Sequence, residues 1–212
     1  MSLPEKIKTI KQNSEFKLKE KGSLFLCICE PVQNEEEALN FLAKIRKQYY
    51  DAAHHCYSYK FQNGTFKYSD DGEPNGTAGI RIYNAQNHFE VTNLVTVVVR
   101  YFGGTKLGVG PLGKAYYNSA LECLANSQIE EMVLFKKIEI SYDFSLSKTV
   151  HHFVSKFKLI INKNDFVIRP KMVCLVRPSA EQDFTSELIA ASQNKIAITQ
   201  TGEFSYITLD SI

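Results

Sequence analysis

Cysteine is sparse in this sequence: five in 212 residues, an odd number at irregular spacing with no CxxC pair. That excludes the disulfide framework of small secreted domains and removes the strongest zinc signature, so a reducing cytoplasm is the expected setting. No run approaches the roughly 20 apolar residues of a membrane-spanning helix. The opening segment, with Glu5, Lys6, Lys8 and Lys11, lacks the apolar core of a signal peptide. Charge of one sign is missing too. A net charge of +2 does not by itself mark a nucleic-acid binder, and any electrostatic footprint must be local. Internal repeats and low-complexity segments are absent. What remains is 44% hydrophobic and 23% charged, ordinary for a globular protein, with length enough for one large domain or two small ones.

Glycine, by contrast, is concentrated. The segment 100–114 sets Arg100, Lys106 and Lys114 among Gly103, Gly104, Gly108, Gly110 and Gly113. Glycine tolerates positive φ and has no Cβ to hold a ligand off, so such a turn at a helix start can aim several N–H groups at an anion. Upstream, 94–99 is short, β-branched and uninterrupted, which predicts a strand buried on both faces. Downstream, Pro111 suits the first turn of a helix, and Leu112, Ala115, Tyr116, Ala120, Cys123 and Leu124 recur at helical spacing. The spacing also fits a dinucleotide fingerprint and most of a P-loop. Ala115 stands where a P-loop needs a hydroxyl, Pro111 removes an amide, and 101–107 intervene before the first glycine of a Rossmann turn. A phosphate or other anion contact and plain tight packing are the readings that remain.

The pattern divides near Leu134. Before it, strands are predicted at 23–30, 55–61 and 65–68, a helix at 34–49 opening on an Asn cap and acidic turn, a loop at 69–74 and a helix from Gly76 or Thr77. After it come a strand at 135–142, a helix at 145–157, strands at 159–168 and 171–177, a Ser-capped helix at 179–192 and a strand at 196–209. That β-α-β-β-α-β order is the ferredoxin-like arrangement. The predicted fold class is therefore α+β, with domains at 1–133 and 134–212.

Candidate site residues gather before the glycine turn. Asp70, Asp71 and Glu73 are three close carboxylates that can ligate Mg²⁺, cap the helix of Thr77, or pair with Arg100 and the lysines; an organising role is favoured. His54 and Cys56 share a strand face, as do Cys27 and Cys29. A zinc site from this set is outweighed by the commoner fate of cysteine as a small buried side chain. Tyr101 and Phe102 suit stacking on unpaired bases or packing in the core. No signature joins His54 and the carboxylates into a known catalytic constellation. No catalytic residue, metal or cofactor is therefore assigned.

Three stretches resemble the Impact family, whose bacterial members are of the YigZ type: 54–59 (His-His-Cys-Tyr-Ser-Tyr), 69–79 (Ser-Asp-Asp-Gly-Glu-Pro-Asn-Gly-Thr-Ala-Gly) and 97–108 (Val-Val-Val-Arg-Tyr-Phe-Gly-Gly-Thr-Lys-Leu-Gly). The resemblance implies that the first domain has the fold of ribosomal protein S5 domain 2 and the second the ferredoxin-like module related to translocation factor EF-G. It also implies association with RNA or the ribosome and an influence on translation. Eukaryotic relatives regulate translation through a protein partner, but carry a companion domain that this chain lacks. The expected anion or nucleic-acid contacts are Arg100, Tyr101, Phe102, Gly103, Gly104, Lys106, Gly108, Gly110 and Lys114, organised by His54, Asp70, Asp71, Glu73 and Thr77. Phosphate contacts carry no base preference, and neither DNA specificity nor a membrane partner is expected. The alternatives are a phosphate-substrate enzyme or hydrolase using His54 and the 70–73 loop, and a protein-partner regulator.

Overall fold

A computed structural model of the chain describes residues 3–165 and 170–208. The chain falls into two compact units, Met1–Glu131 and Met132–Ile212. The first contains β1 (Lys6–Ile10), β2 (Ser14–Glu20), β3 (Ser23–Pro31), α1 (Glu35–Gln48), β4 (His54–Lys60), β5 (Phe66–Ser69), α2 (Gly79–His88), β6 (Leu94–Tyr101) and α3 (Val109–Ala125). Five strands form an antiparallel sheet in the order β2-β3-β6-β4-β5.

Side chains alternate across a strand, and this sheet buries both sets. Leu26, Ile28, Tyr57, Tyr59, Val95, Val97 and Val99 face α1 through Ala38, Leu42 and Ile45. Phe25, Cys27, Cys29, Cys56 and Val98 face α2 and α3 through Ile82, Ala85, Leu112, Tyr116, Ala120 and Cys123. Each fully buried aliphatic side chain is worth about 1.5–3 kcal/mol. This explains the β-branched run at β6: it is the middle strand, covered on both faces.

Strands β1 and β2 lie where no element is predicted from the sequence. In β2, Phe16 and Leu18 pack on the core while Glu15, Lys17 and Lys19 are exposed, a half-solvated edge strand. β2 and β3 form a tight hairpin in which Glu20 faces Ser23. Its two turn residues, Lys21 and Gly22, have φ of 45° and 83°, as a primed two-residue turn requires. Gly103 lies against that turn. A Cβ added to it would stand 1.9 Å from the Gly22 carbonyl carbon, so only glycine fits.

The second unit holds the rest of β7 (Ile129–Ser141), a 3₁₀ turn (Phe144–Leu146), α4 (Ser147–Lys156), β8 (Ile160–Asp165), β9 (Lys171–Val176), α5 (Pro178–Ala191) and β10 (Ala197–Thr208). Its strands are antiparallel in the order β10-β7-β9-β8. Both helices share one core with the sheet: Val150, Val154, Phe184 and Leu188 meet Ile138, Ile140, Met172, Cys174 and Val176.

Helix α3 begins at Val109 and Pro111 falls third in it, within the first turn as expected. Helix α5 opens on Arg177 with Pro178 in its first turn and no side-chain cap, rather than on a serine. Residues 166–168 and 209 of the expected strands lie outside the described residues.

Candidate functional site

The glycine turn, the acidic loop and His54 come together at one end of β4 and β6, where His54 and Arg100 are register partners. Arg100 is only 5% exposed. Its Nη1 donates to Glu73 Oε1 at 2.6 Å, and its guanidinium lies between the rings of Phe25 and Phe102, 5.3 and 5.6 Å from their centroids. Glu73, also buried, accepts a second bond from the Tyr116 hydroxyl at 2.7 Å. Burial pushes the Tyr116 phenol and the neighbouring Cys56 thiol well up, so both stay protonated. Arg100 is therefore an internal cation neutralised by Glu73, not the surface cation that its place in the sequence suggested.

The carboxylates of the acidic loop turn to separate partners. Asp70 accepts from the N–H groups of Gly76, Ala78 and Gly79 at 2.8–2.9 Å, filling the N-terminus of α2, where a carboxylate satisfies orphan amides and the helix dipole. This moves the start of α2 to Gly79, past the Gly76 or Thr77 read from sequence. Asp71 accepts from Arg46 and from the His55 N–H, both at 2.7 Å. Thr77 is buried and donates to the Pro74 carbonyl at 2.6 Å. His54 donates from Nδ1 to the Asp71 carbonyl at 2.8 Å. Its Nε2 lies 3.8 Å from Glu73 Oε2.

Above this buried layer, a cleft of about 400 Å³ is lined by His54, Glu73, Arg100, Phe102, Lys106 and Leu112. A second, of about 510 Å³, is lined by Arg81, Asn84, Gly110, Gly113, Lys114 and Tyr117. Exposed Val109 borders both, so the first turn of α3 separates them. No side chain caps this turn and no acid stands in it. The other two helices of the unit are occupied there, α2 by Asp70 and α1 by Asn34 with three glutamates.

The five glycines now separate by cause. Gly103 is fixed by packing on Gly22, and Gly113 has Arg81 Nε 3.3 Å from where its Cβ would be. Gly104 and Gly108 stand in open space at φ of 84° and 83°, a conformation that favours glycine. Gly110 has neither reason: nothing lies within 4 Å of its would-be Cβ, and its φ is not positive. Lys106 and Lys114 are exposed, and among the described residues neither has an ion-pair partner. Phe102 is 52% exposed. Tyr101 is not a free platform, because its ring packs on the α1-side core and its hydroxyl donates to Asp51 at 2.8 Å; burial, helped by Asp51, pushes its phenol up to about 12.

Sequence reasoning missed Ser23, Arg81 and Tyr116. Ser23 Oγ accepts from the Gly103 N–H at 3.2 Å, and Tyr116 and Arg81 reach the site from helix faces. Helical spacing marked Tyr116 as core, but nothing in a single sequence marked Arg81. The cysteines are buried, as expected, and among the described residues Cys27 and Cys29 do not gather with His54 and Cys56. Cys56 donates instead to the Asp70 carbonyl at 3.0 Å.

The class of molecule is thus a two-unit α+β chain with a buried Arg–Glu pair beneath a cationic glycine turn. The Impact N-terminal domain model matches residues 21–124, which include all three quoted stretches. The chain is 28% identical to the IMPACT family member YvyE of Bacillus subtilis (strain 168), over 94% of this chain and 92% of that one. It is 36% identical to an IMPACT family member of Thermus thermophilus, over 61% and 70%, and also matches IMPACT family member YigZ of Escherichia coli (strain K12), 36% identical over 51% and 56%. The chain belongs to the Impact family. A solved structure described as a hypothetical protein has the same fold, with a TM-score of 0.68 at 22% identity, covering 93% of this chain and 98% of that one.

Proposed function

We propose that the first unit binds the phosphate backbone of structured RNA, free or in the ribosome, at the first turn of α3, and through this contact influences translation in the cytoplasm. The observation that carries the reading is the open helix start: amides at Val109 and Gly110 and the side chains of Lys106 and Lys114 that have no partner among the described residues, and a glycine at 110 that the fold does not require. Backbone amides at a helix N-terminus and lysines are what a phosphate needs, and they carry no base preference. Exposed Phe102 supplies a ring for an unpaired base. The Arg100–Glu73 pair, Asp70, Asp71, Thr77 and His54 hold the turn and the loop in place beneath it.

The same reading covers the folds. The order β10-β7-β9-β8 with both helices packed in one core supports a ferredoxin-like domain at 134–212. The two-face core of the first sheet is compatible with the ribosomal protein S5 domain 2 fold for 1–133. Crosslinking in cells followed by sequencing tests the function: RNA recovered with the wild type and lost with Lys106→Ala/Lys114→Ala is the expected result, and equal recovery overturns it.

A second reading has one observation in its favour, the placement of His54 at the edge of the 400 Å³ cleft with its Nδ1 held by the Asp71 carbonyl. It makes the protein a phosphate-ester enzyme with His54 as general base. A His54→Ala protein that retains full turnover of a phosphate ester removes His54 from any such reaction.

A further inference from the structure

On the face of the first sheet that packs against α2 and α3, three thiols meet. Cys27 and Cys29 point the same way from β3, two residues apart, and Cys123 reaches them from the last turns of α3. Their sulfurs all lie within 4.8 Å of one another, and all three residues are wholly buried. Polar groups attend the cluster. Thr96 Oγ1 is 3.4 Å from Cys29 Sγ, and Ser14 Oγ is 3.5 Å from Cys123 Sγ. Ser14 Oγ is in turn 2.6 Å from Ser127 Oγ. Ser14 and Ser127 are both half-buried, so a hydroxyl path leads from the sulfurs toward solvent.

A metal–sulfur bond of about 2.3 Å places three sulfurs around a trigonal centre about 4 Å apart, within the spacing observed. Zinc wants a fourth good ligand, and the cluster holds no histidine or carboxylate. A soft d¹⁰ cation that is content with two or three thiolates does not. Charge points the same way. A monovalent cation that displaces one thiol proton leaves the buried charge unchanged, whereas a divalent one must displace two or leave net charge in the core.

We propose that Cys27, Cys29 and Cys123 form a binding site for monovalent copper. The step is an exchange, RSH + Cu⁺ → RS–Cu + H⁺: a sulfur–copper bond replaces a sulfur–hydrogen bond, copper stays at +1, and the proton leaves past Ser14 and Ser127. This site is independent of the proposed RNA contact.

The test is an anaerobic titration of the reduced full chain with Cu⁺ held by bicinchoninate, whose colour reports the copper it loses. The expected result is uptake of about one equivalent by the wild type and by Cys174→Ala, and markedly weaker uptake by Cys123→Ser and Cys27→Ser. No uptake by the wild type, equal uptake by all four, or preference for Zn²⁺ under the same conditions overturns the site. Where a variant loses its far-UV circular dichroism, copper K-edge absorption of the loaded wild type decides. An all-sulfur shell supports the proposal, and nitrogen or oxygen neighbours contradict it.

Discussion

At the scale of single residues, the Arg100–Glu73 pair and the glycines have the clearest consequences. Both charges are buried, so removing one strands the other. Glu73→Gln is expected to cost about 3–5 kcal/mol of stability, read as a lower midpoint in chemical denaturation. Gly103→Ala forces a methyl into the backbone of the β2–β3 hairpin, which cannot yield as a flexible side chain would. A loss of at least about 1–3 kcal/mol is expected, and a midpoint within error of wild type would show that the hairpin moves aside. The sequence displayed these residues without their roles. Arg100 stood beside two lysines among glycines and read as one more surface cation. Its burial follows from β6 lying between β3 and β4, a strand order that one sequence does not reveal. The glycines likewise read as a set, and only three-dimensional neighbours separate Gly103, which packs, from Gly110, which does not.

At the scale of elements, the contrast between α2 and α3 matters most. Asp70 supplies three amides at the entry to α2 with an acceptor, so Asp70→Ala removes a cap worth about 0.5–2 kcal/mol; the loss should appear in thermal melts and as faster amide exchange at Gly76, Ala78 and Gly79. Helix α3 has no such group, and Gly110→Glu gives it one. A first-turn carboxylate favours the helix dipole by about 0.3–1 kcal/mol, so this variant should be at least as stable as wild type while its RNA affinity falls about tenfold or more. Unchanged affinity would detach RNA from this turn. Strand β6 and helices α1 and α3 were legible because their apolar periods are complete. Strands β1 and β2 were not, since an edge strand with one face in water alternates lysine and glutamate with its few apolar residues.

At the scale of the whole molecule, a net charge of +2 leaves no global field to attract a polyanion, and the account depends on where a few cations sit. The β-α-β-β-α-β order of the second unit could be read directly, as each element there has a clean period and a marked turn. The open face of α3 could not, because it is defined by what other side chains leave unfilled. The most direct measurement is RNA affinity of the full chain across a salt series, for wild type and for Lys106→Ala/Lys114→Ala. Each phosphate contact contributes about 0.7–0.9 to the slope of log affinity against log salt. The account predicts weaker binding by the double variant and a slope shallower by about 1.4–1.8. An unchanged affinity and slope would contradict it.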